Sequence, residues 1–262
     1  MLNFEQKGKG NEKETLVLLH GFMENLTIWN DMEPYLSDNF SLLKIDLPGH
    51  GQSEILAEVQ TMEIMAEEVK KVLDNQNLTK IHLLGHSMGG YVSLGFAEKH
   101  PEYLKSLTLF FSTFFPDDAE KKEQRKKSYR IIQDAFAHYV RAGIPNLFNP
   151  NERDILEGKI ETALEIALST NNLGALASVK GMVDRTDKKQ ILENLDTKIL
   201  VIAGKHDNAV KTEILIENLP DKTNIKSYIL DCGHNGHWEK PAICAAIINT
   251  EILHNLPKHL VF

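Results

Sequence analysis

The sequence predicts an α/β fold: a mainly parallel central sheet with helices on both faces and one inserted helical block. Three observations predict it. Short apolar runs alternate with amphipathic segments, the rhythm of βαβ units whose strands are covered on both sides. That rhythm stops between about Phe115 and Asp187, where the chain is polar, helical in pattern and free of strand-like runs. Finally, Gly85-His86-Ser87-Met88-Gly89 follows the apolar run Ile81–Leu84, and a helix-compatible stretch from Gly90 begins at once.

Taken in order, a short strand near Leu2–Gln6 forms an antiparallel edge. Strands follow at Thr15–His20, Phe40–Leu47, Lys80–Gly85, Leu104–Phe111, Lys198–Gly204 and Ile225–Asp231. Helices are expected at Leu26–Leu36, Met62–Asn75, Met88–Lys99, Val210–Leu219 and Pro241–Leu253. Residues 1–114 and 187–262 then make the core, and 115–186 a helical cap. Within that cap Lys121–Lys127 reads as a solvated face. Ile131, Ile132, Ala135, Phe136, Tyr139 and Val140 recur at helical spacing and predict the buried face of the same helix. Further helices are expected over Asp154–Ser169 and Leu173–Met182. Open α/β sheets bind ligands beyond the C-terminal ends of their strands, so the cap is expected over the site.

Composition narrows the function. The chain has 262 residues, 42% of them hydrophobic, enough for one large α/β domain or two small ones. A net charge of −8 argues against nucleic acid or an anionic membrane as partner, since both need a basic surface. Two cysteines, Cys232 and Cys244, do not make a disulfide framework and suit a reducing compartment. Met1–Lys7 has no secretory apolar region, and no stretch reaches the roughly 18 apolar residues of a membrane helix. A soluble cytoplasmic protein, monomer or homodimer, is the expectation.

The chemistry centres on Ser87. A strand–turn–helix setting holds a serine at a strained bend with its hydroxyl exposed, and glycines two positions either side leave room for the neighbouring backbone. A serine hydroxyl is a weak nucleophile and needs a base that a carboxylate orients. Asp207 lies just past the strand Ile199–Ile202, and His234 just past Ser227–Leu230. The order Ser…Asp…His, each at a strand C-terminus, is that of one hydrolase architecture among the Ser-His-Asp folds.

Five segments together resemble the α/β-hydrolases of the capped serine esterase and haloperoxidase-like type. They are His20-Gly21-Phe22 with Trp29, Asp46–Ser53, Gly85–Gly90, Gly204–Asp207, and Gly233-His234 followed by Glu239-Lys240-Pro241. The resemblance implies catalytic Ser87, Asp207 and His234, with an oxyanion hole from the backbone N–H groups of Phe22 and Met88. Phe22, Met88 and Trp238, with Phe136 from the cap, are candidates for the acyl pocket, and each also reads as plain core. A serine, where related dehalogenases and epoxide hydrolases carry aspartate, implies acyl chemistry on a small-molecule ester, lactone or thioester. An activated C–C bond is the alternative, or a binding protein with little turnover. A menaquinone-pathway lyase would need pocket cations, and Lys121–Lys127 reads as too superficial for that.

Competing readings stand beside these. Asp207 also suits a helix N-cap. His237 is a second candidate base, expected at the start of the last helix or at the pocket rim. His206, His234 and His237 raise a metal site, which a complete serine triad makes unnecessary, so no metal and no cofactor are expected. His20 and His50 read as turn-bonding, His86 as packing behind the nucleophile, and Asp46 as turn-stabilising. Asp117 and Asp118 read as opening the first cap helix. Arg185 either binds a substrate carboxylate or pairs with Asp184 or Asp187.

Overall fold

The sheet comprises β1 (Phe4–Lys7), β2 (Glu14–Leu19), β3 (Phe40–Ile45), β4 (Ile81–His86), β5 (Leu104–Phe110), β6 (Lys198–Gly204) and β7 (Ile225–Leu230) in a computed structural model describing residues 1–8, 10 and 13–253. Its spatial order is β1-β3-β2-β4-β5-β6-β7, with β1 antiparallel to β3 and every other pair parallel. β3 and β4 are buried along their whole length, and β2 and β6 at all but their first residue. Strands covered on both faces must be apolar throughout rather than alternating. The charged exception within β3 is Lys44, whose buried ammonium is matched by Glu33 at 2.8 Å and Glu5 at 2.9 Å. The edge strand β7 exposes Lys226, Ser227 and Ile229.

Two helices follow the first strands: α1 (Met62–Asn75), capped by the Thr61 hydroxyl, and α2 (Met88–Lys99), buried from Met88 to Ala97. Between β5 and β6 run α3 (Ala119–Asp134), α4 (Phe136–Gly143), α5 (Glu157–Ser169) and α6 (Asn172–Val183). The core then resumes with α7 (Lys189–Asn194), α8 (Thr212–Glu217), α9 (Gly236–Glu239) and α10 (Pro241–Ile252). Among the described residues, no helix is long and apolar enough to cross a membrane.

Three elements depart from the sequence reading. Leu26–Leu36 is not one α-helix but two 3₁₀ turns, Leu26–Asp31 and Glu33–Tyr35. Pro34 sits inside this segment and has no N–H to continue a ladder. The helix expected to carry Ile131 through Val140 breaks at Ala135, where φ is −146° and ψ 46°. Ile132 and Val140 are consequently buried, whereas Ile131 and Ala135 face solvent. Helix α7 was not expected, since six residues are too few to display a period.

The inserted helices are joined to the core at α6 by backbone approach. A Cβ at Gly174 would strike the carbonyl of Gly49, and one at Gly181 the carbonyl of Gln60. The Gln60 N–H donates to the Ala177 carbonyl at 3.0 Å, and its side-chain amide donates to Pro48 O and Ser178 Oγ.

Candidate active site

Ser87 lies between the end of β4 and the start of α2, at φ 50° and ψ −113°. A non-glycine residue there stores roughly 1–3 kcal/mol of strain, and such strain persists only where the surroundings over-determine it. Here they do. The Ser87 N–H donates to Phe110 O at 3.0 Å, and its carbonyl accepts the Ser112 hydroxyl at 2.7 Å. A Cβ on Gly89 would lie 2.5 Å from Leu19 O, one on Gly85 would meet the Gly89 backbone, and one on Gly90 would meet Ser112 Oγ. The glycines are therefore a packing requirement of the bend.

The loop after β2 runs directly against this bend: a Cβ on Gly21 would lie 3.2 Å from Ser87 Cβ. The Gly21 N–H donates to Glu24 Oε2 at 2.6 Å. Phe22 is half-buried and meets His50 edge-on, with ring centroids 6.1 Å apart. Met88 is buried, and its N–H, the first of α2, has no intrahelical acceptor.

Beyond β6, Asp207 serves two partners with its two oxygens. Oδ1 accepts the N–H groups of Ala209 (2.7 Å) and Val210 (2.9 Å), and Oδ2 accepts from His234 Nδ1 at 2.7 Å. Asp207 thus closes the turn before α8 and holds His234, but it is not the helix N-cap: that position is Lys211, which makes no side-chain capping bond. Beyond β7, the His234 N–H donates to Leu147 O at 2.7 Å. The buried Glu239 carboxylate then accepts the N–H groups of Gly233, Asn235 and Asn149 at 2.9, 3.1 and 3.0 Å. Burial opposes protonation of His234, but the charge and hydrogen bond of Asp207 outweigh it and raise its pKa above the ordinary imidazole value.

The remaining predicted residues are placed as follows. His237 is fully buried within α9, not at a rim, with its ring 4.7 Å from that of His86. Its own helix turns it inward, which spacing could not reveal. Trp238 is buried and stacked on Phe148, with centroids 6.0 Å apart and 13° between planes. Phe136 is half-buried at the start of α4. His206 pairs with Asp231 at 2.8 Å. His20 bonds Gly21 O and accepts the Leu47 N–H, His50 bonds Pro48 O, and Asp46 accepts from Asn3, Leu26 and Gln52. Asp118 caps α3.

Asp117 and Arg185 depart from the sequence reading. Arg185 pairs with neither Asp184 nor Asp187: its guanidinium meets Asp117 Oδ1 at 2.6 Å and covers the Tyr91 ring at 3.6 Å. Asp117 Oδ2 takes Arg125 Nε at 2.5 Å. Lys121–Lys127 is therefore not wholly a solvated face: Arg125 is largely buried, and with Lys121 and Arg185 it lines a cleft of about 600 Å³. Tyr91, Thr113 and Val210 also line it, which puts one wall beside the Asp207 loop and one helical turn from Ser87.

Sequence reasoning missed Glu24, Ser112 and Arg125. Only Glu24 left a signal: a lone carboxylate in Gly21–Leu26, an otherwise uncharged stretch, three residues past the glycine.

Fold and site geometry define the class, and comparison with known proteins agrees. Residues 14–241 match the alpha/beta hydrolase fold family, to which the chain belongs. Among characterised relatives, a 2-hydroxy-6-oxononadienedioate/2-hydroxy-6-oxononatrienedioate hydrolase of Escherichia coli is 28% identical over 265 residues, covering 91% of this chain and 90% of that protein. A 2-succinyl-6-hydroxy-2,4-cyclohexadiene-1-carboxylate synthase of Enterobacter sp. is 28% identical over 243 residues, covering 89% of each. Among solved structures, a malate-bound thermophilic esterase from Thermogutta terrifontis superposes with a TM-score of 0.87 at 30% identity, covering 95% of this chain and 92% of that one.

Proposed function

We propose that the protein is a serine-dependent acyl hydrolase acting on a small to medium carboxylic ester, or a related lactone or thioester. The observation that carries this reading is the Asp207–His234 hydrogen bond of 2.7 Å on the sheet edge where Ser87 sits in its strained bend. In this scheme Ser87 Oγ attacks the acyl carbon while His234 Nε2 takes the hydroxyl proton. Asp207 holds the Nδ1–H, which sets the tautomer and stabilises the imidazolium that forms. The backbone N–H groups of Phe22 and Met88 receive the developing oxyanion. The imidazolium then protonates the leaving alkoxide, and water, deprotonated by His234, releases the acid from Ser87. Residues 115–186 act as the cap, and Phe22, Met88, Phe136 and Trp238 contribute the apolar side of the pocket.

Hydrolysis of p-nitrophenyl esters from acetate to octanoate by wild type and Ser87→Ala tests this. The expected result is turnover that falls by at least about 10³-fold in the variant, with a chain-length optimum that sizes the pocket. Wild-type rates no higher than those of Ser87→Ala would overturn the esterase reading and favour a binding protein.

A second reading, hydrolysis of an activated C–C bond, is favoured by one specific feature. Arg125, Arg185, Lys121 and Lys211 line the cleft together with Asp117, Asp118, Glu120 and Asp187, so its charge is mixed, and its two guanidinium groups are the ones suited to a carboxylate-bearing substrate. The relatives named for a dioate and for a carboxylate product point the same way. Ser87-dependent bleaching of a 2-hydroxy-6-oxo-dienedioate, with KM raised at least about tenfold by Arg125→Gln, is the outcome this reading requires.

A further inference from the structure

A second acid–histidine pair lies immediately behind the first. His86, adjacent in sequence to Ser87, places Nδ1 2.8 Å from Glu24 Oε2 and Nε2 3.0 Å from the backbone carbonyl oxygen of His234. A carbonyl oxygen only accepts, so Nε2 must carry a hydrogen. Glu24 Oε2 already accepts the Gly21 N–H at 2.6 Å, so the same oxygen faces two nitrogens. The pair therefore holds one proton on or between Nδ1 and Oε2. Both side chains are almost entirely buried, at 1% and 9% exposure. An unpaired charge in such a place is costly, and a hydrogen-bonded ion pair is the form that survives burial.

We propose that Glu24 and His86 form a positioning dyad, a buried carboxylate–imidazolium pair that fixes the oxyanion-side loop and the base loop relative to Ser87. One end of the dyad holds Gly21, the residue before Phe22. The other end holds the carbonyl of His234. Its middle is the residue next to the nucleophile. Besides Glu24, the His86 ring is faced by His234, His237, Trp29, Phe110 and Phe111, and His20 lies behind Glu24. Burial, followed by the neighbouring His86, keeps His237 neutral, and burial does the same for His20. For Glu24 burial favours the acid, but the charge and hydrogen bond of His86 outweigh it and hold the carboxyl down at about 2.

A carboxylate oxygen accepts from both Gly21 N–H and a protonated His86 and also balances the charge of the imidazolium. Glu24→Gln keeps the volume but forces a loss: an amide oxygen cannot compensate the imidazolium charge, and an amide nitrogen cannot accept the Gly21 N–H. A residue that merely fills space would tolerate this change.

The test is ¹⁵N NMR of histidine-labelled protein at pH 8 to 9, combined with ester kinetics. The expected wild-type spectrum contains one histidine with both ring nitrogens protonated, absent from His86→Gln and converted to a neutral ring in Glu24→Gln. In both variants kcat falls by about 10²-fold, the scale of a misplaced catalytic group, with KM within about threefold. A neutral His86 in the wild type overturns the ion pair, whether or not the variants fold. An imidazolium signal with kcat within twofold of wild type in Glu24→Gln overturns the positioning role. The kinetic arm rests on the Ser87 hydrolase reading and the spectrum does not, so absence of ester turnover in the wild type would count against that reading alone.

Discussion

Asp207 and His234 meet at 2.7 Å through Oδ2 and Nδ1, while the other oxygen of Asp207 accepts the Ala209 and Val210 N–H groups. The turn bonds orient the acid by local structure, whereas the base meets it through a contact 27 positions away in the chain. Asp207→Asn separates the two jobs. An asparagine Oδ1 can accept the same two N–H groups, so the melting temperature should stay within a few degrees. Ester kcat should fall by about 10⁴-fold, the scale for a misassigned histidine tautomer.

The pH dependence follows from the raised pKa of His234. The base must be neutral, so kcat/KM should fall as pH drops through that pKa, with the midpoint above the ordinary value of 6.5. In Asp207→Asn this limb moves to lower pH. Stability carries the opposite sign: the contribution of the pair is complete below the unfolded value and is lost as pH rises through the folded one. A pH–rate profile and thermal melts over the same range check both.

Ser87 pays for its conformation in stability. Ser87→Gly should be more stable than Ser87→Ala by about 1 kcal/mol, since glycine relieves strain of roughly 1–3 kcal/mol at positive φ but costs about 0.5–1 kcal/mol in chain entropy. Parallel denaturant titrations of the two variants measure this directly.

Glu239 accepts three N–H groups, so Glu239→Gln must turn an amide nitrogen toward at least one of them. The expected cost is about 1–3 kcal/mol of stability. Because two of the donors flank His234, kcat should fall more than KM rises. Denaturation and steady-state kinetics on the same preparation test the two halves.

Gly174→Ala should destabilise by about 1–3 kcal/mol through overpacking against Gly49. If α6 anchors the cap, limited proteolysis of the variant should cut within residues 115–186 before it cuts the core.

Much of this was legible beforehand. Leu16–Leu19, Leu42–Ile45 and Ile199–Ile202 announce doubly covered strands because burial on both faces leaves no place for alternation. The bend at Ser87 was legible because three nearby positions admit no Cβ. Asp207 and His234 were legible from their places just past two apolar strands. Less legible were Pro34, which splits a helix into 3₁₀ turns, and Ala135, where an apparently continuous periodicity breaks. Arg125 looked superficial because its partner network runs through Arg185 and Asp117, 68 positions apart in the chain.

The sequence by itself determined the layered α/β architecture, the bend that carries Ser87, and the strand ends that carry Asp207 and His234. These follow from local sterics and from the period of burial, which each segment records in its own residues. Only the tertiary structure decided that Glu24 reaches His86 across 62 positions and that His86 reaches the His234 carbonyl across 148. It also decided that His237 turns inward and that Arg125 and Arg185 share Asp117. A buried charge is specified by the partner that compensates it, and that partner is chosen by how the loops pack, which no local pattern encodes.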